Sequence, residues 1–93
     1  MSDSFDDRMG LLRERFLVRA RDERAQLIAA VAIMDRDEIR RLSHGLSGSA
    51  GVFGFPEISL DAQAVEEAVD DGAEDSEVQR LSAALIDRLE GAA

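Results

Sequence analysis

The chain contains no cysteine. Disulfides, cysteine-based metal sites and cysteine nucleophiles are therefore excluded, and a reducing cytoplasm fits such a composition. Lysine is also absent: all 11 basic residues are arginine, so no site here can use an ε-ammonium group. Proline occurs once, at Pro56. No apolar run approaches the roughly 18 residues that cross a bilayer, and no charged-then-apolar leader opens the sequence. Positive charge is scarce, 20 acidic residues against 11 basic, for a net charge of −9. Proteins that bind nucleic acid replace counterions with Lys and Arg, so nucleic acid is disfavoured as a partner, and anionic membrane surfaces with it.

What is present points to a single globular domain over residues 1–93. Hydrophobic residues make up 45% and charged residues 33%, a balance that folds rather than staying disordered. A domain this small buries only about 60% of its unfolded surface, so its stability margin is thin. Met1 and the character of both ends fit a free-standing protein.

Helical period dominates, and no alternating or β-branched run suggests a strand. Over residues 4–34, Phe5, Met9, Leu12 and Phe16 recur at steps of three and four, and Leu27, Ala30, Val31 and Met34 continue the face. Ser4 with Asp7 resembles a helix start. The charged residues 19–24 fit either a break or the exposed middle of one long helix. A second helix is expected from Asp35, where Asp35 and Glu38 form an Asp-x-x-Glu variant of the capping box, with Ile39, Leu42, Leu46, Ala50 and Phe53 as its apolar stripe. Gly54 then Pro56 is a stop and restart. A third helix is expected over residues 56–71, with Ile58, Ala62, Val65 and Val69 inward. Residues 70–75 read as a turn, and Ser76 with Gln79 caps a fourth helix carrying Val78, Leu81, Leu85 and Leu89. The predicted fold is all-α: an antiparallel four-helix bundle with a possible extra N-terminal helix segment.

Residues 40–55 carry the chemistry. His44 lies about 200° around the helix from Leu42 at 100° per residue, so it points away from the apolar stripe; an ordinary surface histidine would do the same. The same helix contains Gly45, Gly48 and Gly51, each costing about 0.5–1 kcal/mol relative to Ala. Close helix packing accounts best for Gly45. Gly48 and Gly51 follow His44 on its own face and clear a flat approach to the imidazole. Arg40 and Arg41 sit one turn earlier and suit a phosphate, or simply form a solvated charged face. Ser47 adds a hydroxyl.

The run His44-Gly45-Leu46-Ser47-Gly48-Ser49-Ala50-Gly51-Val52-Phe53-Gly54-Phe55 resembles the His-x-Leu-Lys-Gly-Ser-Ala motif of histidine-containing phosphotransfer (HPt) domains of bacterial two-component phosphorelays. The likeness continues through Pro56-Glu57-Ile58-Ser59-Leu60 to Gln63-Ala64-Val65-Glu66. It implies that His44 accepts a phosphoryl group through Nε2 from the Asp of a response-regulator receiver domain and passes it on, and that the chain is a carrier without turnover of its own. It implies that Glu66 accepts a hydrogen bond from Nδ1–H and so orients the ring, with Gln63 lining the same surface. It further implies receiver domains and a hybrid sensor kinase as partners, docking over Gly48 and Gly51, and no cofactor on this chain, the Mg²⁺ being on the receiver. The departure is Ser47, where the family usually has Lys; Arg40 or Arg41 would have to compensate.

Two rival readings remain. One is a non-phosphorylated helical adaptor that binds and regulates a receiver or kinase domain, to which the Ser47 departure lends weight. The other is an autonomous hydrolase, which needs several convergent polar groups in a cleft; one histidine on an open face is a poor start. One histidine with scattered carboxylates also lacks metal-ligand spacing. A monomer is expected, because no second large apolar stripe stands out.

Overall fold

The computed structural model describes the backbone of residues 2–92 and the side chains of residues 5–92. Those residues form four helices and no strand: α1 (Ser2–Ala32), α2 (Arg36–Val52), α3 (Pro56–Asp70) and α4 (Asp75–Ala92). The charged residues 19–24 do not break the first helix. They are mostly good helix formers, and α1 runs as one element of 31 residues, about 46 Å at 1.5 Å per residue. It sets the long dimension of the molecule, which measures 51 × 21 × 19 Å.

Helix ends follow local chemistry. Asp35 Oδ1 accepts from the Glu38 N–H at 3.2 Å, satisfying an orphan donor in the first turn of α2. Gly54 takes a φ of 84°, and Pro56 opens α3. Two ends differ from expectation. α1 stops where Met34 adopts a left-handed φ of 51°, a conformation no feature of the sequence announces. α4 starts at Asp75, with the Glu74 carbonyl accepting from the Glu77 and Val78 N–H groups; Ser76 therefore lies inside the first turn and does not cap it. The Ser4 side chain, expected to cap α1, lies outside the described side chains, and the backbone is already helical at Ser2.

α1 packs on α2 and α4, α2 on α3, and α3 on α4, closing a ring around one apolar core. Phe16 and Leu27 of α1 meet Ile39 and Leu46 of α2, Val65 of α3, and Val78 and Leu85 of α4 there. The Phe16 ring stands beside those of Phe53 and Phe55, with centroids 5.9 and 5.2 Å away. The α1 stripe enters the core from Phe16 onward: Phe5 is 66% exposed and Leu12 is exposed too. The reason is length, since α2 and α3 have 17 and 15 residues and α1 outruns them. Leu11 and Val18 are also exposed, so α1 does carry apolar surface outside the core. On α3 and α4 the inward positions include Ala68 and Ser82, while Val69 and Leu81 are half-buried.

Candidate functional site

α2 turns Ile39, Leu42, Leu46 and Ala50 inward. That choice of face sends His44 outward, and its side chain is 70% exposed. Its neighbour Ser43 is fully buried, so the imidazole is the polar group that α2 presents to solvent at this level. On α3, burial of Ala62 and Val65 leaves Glu66 at the seam with α2, its side chain only 16% exposed.

Across that seam His44 Nδ1 and Glu66 Oε2 are 2.8 Å apart. A carboxylate can only accept, so Nδ1 is the donor of this pair, and in the neutral ring Nε2 keeps its lone pair. No described residue hydrogen-bonds Nε2. The arrangement can form a covalent bond at Nε2 while the far side of the ring stays anchored.

Arg40, one turn before His44, joins this group from the Glu66 side. Its Nε donates to Asp70 Oδ1 at 2.6 Å, and its Nη2 stands 3.4 Å from Glu66 Oε2. The Asp70 hydrogen bond, then the Asp70 charge, push the guanidinium pKa still higher than usual. Asp70 was not among the sequence candidates, being read as part of a turn. A signal was available: Glu66 and Asp70 are four apart on one helix and share a face.

Arg41 is not brought into this group. Its Nε donates to Glu38 Oε2 at 3.0 Å and its Nη2 to Gln26 Oε1 of α1 at 3.5 Å. The Arg41 hydrogen bond holds the Glu38 carboxyl below its ordinary pKa. Ser47 donates its hydroxyl to the His44 carbonyl at 2.9 Å, so its hydrogen is spent on the backbone. Gln63 donates to Ser59 Oγ at 3.3 Å, and Ser59 donates to the Ser47 carbonyl at 2.7 Å. Gln63 thus bonds within α3 and makes no hydrogen bond to the imidazole, while buried Ser59 braces the α2–α3 seam, a brace that the sequence reading missed.

The glycines divide differently from expectation. A Cβ at Gly45 or Gly48 would meet nothing within 4 Å, whereas one at Gly51 would lie 3.5 Å from Ser59 Oγ. Gly45 is therefore not explained by helix packing; Gly51 is the one that leans on α3. A concavity lies elsewhere, between residues 54–58 and the last turns of α4. Among the described residues no three or more His, Asp or Glu cluster as metal ligands would, and no helix is long and apolar enough to cross a membrane.

The site is thus one anchored imidazole on an open helical face. The family model described as the Hpt domain matches residues 11–93, and the chain belongs to that family. Searches among curated proteins and among solved structures returned no match. Membership implies a phosphotransfer carrier role in two-component signalling.

Proposed function

We propose that this protein is a phosphorelay carrier in which His44 Nε2 accepts a phosphoryl group from the aspartyl phosphate of a receiver domain and donates it to another receiver. The observation that carries the reading is the exposed His44 whose Nδ1–H is held by Glu66. In the forward step the Nε2 lone pair forms the N–P bond. The P–O bond to the receiver's Asp breaks, and the electron pair leaves with that carboxylate. Positive charge gathers on the ring, and Glu66 is placed to balance it. The receiver supplies Mg²⁺ and the carboxylates around it; this chain supplies a pre-oriented nucleophile on a rigid helix and turns nothing over alone.

Docking is proposed over Gly48 and Gly51, with the exposed apolar residues Val52 and Leu60 completing the contact. Receivers and a hybrid sensor kinase are the proposed partners, and the cytoplasm the proposed compartment. An antiparallel helix order belongs to the same reading. It is supported by pairings that run in opposite directions, Arg40 with Asp70, His44 with Glu66 and Ser47 with Ser59, and by short connections.

A second reading, the non-phosphorylated adaptor, is favoured by one observation: position 47 offers no cation, and its hydroxyl hydrogen is already committed. Incubation with a phosphorylated receiver, followed by intact mass, separates the two. The carrier gains one phosphoryl group that His44→Gln does not gain. An adaptor binds the receiver with or without His44 and gains none.

A further inference from the structure

Glu66 is largely withdrawn from water, and a shielded carboxylate needs compensating charge or hydrogen bonds. It has two partners, the His44 Nδ1–H and the Arg40 guanidinium. Arg40 itself is about half exposed on a flexible stem, yet it is tied down at its other edge by Asp70 at 2.6 Å. A planar guanidinium can serve two carboxylates at once; an ammonium on a single stem cannot reproduce that fork. Without Arg40, Glu66 and Asp70 would face each other one turn apart with no cation between them. The two carboxylates would repel, and Glu66 would turn away from the seam. Nδ1 would lose its fixed acceptor, and the ring hydrogen would be free to sit on Nε2 and block the nucleophile.

We propose that Arg40, clamped by Asp70, is a positioning residue that acts through Glu66 to keep Nε2 of His44 unprotonated, and that it is not a ligand of the transferred phosphoryl group. Arg40 Nη2 stands beside Glu66 Oε2, the same oxygen that meets Nδ1, and Arg40 Nε is tied to Asp70, so both nitrogens are engaged by carboxylates and not by the nitrogen that would bond phosphorus. The transfer arm of the test rests on the carrier reading; the ring arm does not.

The test is ¹⁵N NMR of His44 in the unphosphorylated protein at about pH 8, above the ordinary imidazole pKa, alongside initial rates of transfer from a phosphorylated receiver. Wild type is expected to show protonated Nδ1 and bare Nε2. Arg40→Gln and Asp70→Asn are expected to shift the ring toward Nε2–H and slow transfer by about tenfold, with unchanged melting. Arg40→Lys should fall between. In a Glu66→Gln background, Arg40→Gln should do nothing further, because an amide carries no charge to neutralise. Wild-type ring signals in Arg40→Gln would overturn the proposal. So would an equal loss of transfer in the Glu66→Gln background, which would place Arg40 on the phosphoryl group or the receiver. If the ring signals move as expected while no receiver phosphorylates wild type, the positioning role stands and the carrier reading falls.

Discussion

His44 and Glu66 meet across two helices at 2.8 Å, Nδ1 to Oε2, with the histidine 70% exposed and the carboxylate 16%. The exposure is divided by task. On the proposed carrier reading the imidazole has to reach a second protein, and it stands in solvent. The carboxylate has to hold one orientation, so it is packed at the seam and tied to Arg40.

Removing the acceptor should therefore cost more than removing its charge. Glu66→Ala is expected to slow phosphoryl acceptance by about tenfold or more, the usual scale for losing an orienting partner. Glu66→Gln should retain most of the rate, because its amide oxygen still accepts from Nδ1–H. Quenched-flow transfer from a phosphorylated receiver measures both, and equal losses would contradict the orienting role.

Position 47 offers a gain-of-function test. The Ser47 hydroxyl is turned to the His44 carbonyl, so no charge at this position steadies a phosphoryl group. Ser47→Lys is predicted to raise the phosphorylated fraction or lengthen its lifetime. An unchanged or shorter lifetime would show that the missing lysine is immaterial here.

Gly48 separates stability from docking. A Cβ there enters open space, so Gly48→Ala should stabilise α2 by about 0.5–1 kcal/mol through helix propensity alone. A larger side chain, as in Gly48→Gln, should keep the fold and weaken receiver binding measured by calorimetry. Undiminished binding would move the docking surface away from this face.

Glu23 gives a pH-dependent prediction. Burial pushes its carboxyl above the ordinary pKa, against the lowering effect of Arg19 and Arg41. The folded state thus binds this proton more tightly than the unfolded chain does. Stability from this group falls as pH rises from the ordinary carboxylate value through the raised one, and the penalty is complete above it. Glu23→Gln should then raise Tm slightly at pH 7 and change nothing below about pH 4. Glu38 and Glu77 have the opposite sign. Arg41 and Arg80 hold them below the ordinary value, so their contribution is present at neutral pH and lost on acidification through the lowered pKa. A Tm gain for Glu23→Gln that persisted in acid would rule out desolvation as its cause.

Features encoded in a few neighbouring residues were legible in the sequence. The Asp35 cap, the Gly54–Pro56 restart and the outward turn of His44 depend only on local chemistry and helical period, and each is found. Features set by partner helices were not. Nothing local says that α1 outruns the bundle and leaves Phe5 and Leu12 exposed, or that Met34 takes a left-handed backbone at its expected end. The Ser76 cap failed because the Glu74 carbonyl already starts α4 one residue earlier. At the site, Glu66 beside His44 was expected from the family likeness. The separation of Arg40 from Arg41 was not, because it depends on which helix each guanidinium can reach: α3 for one, and α1 together with its own turn for the other.

The most direct measurement is ¹⁵N and ³¹P NMR of the phosphorylated protein, read for which ring nitrogen of His44 bears phosphorus. With Nδ1–H held by Glu66, the phosphoryl group is predicted on Nε2 alone, in an adduct labile to acid and stable to base that His44→Gln cannot form. Phosphorus on Nδ1, or an adduct that survives His44→Gln, would contradict the account.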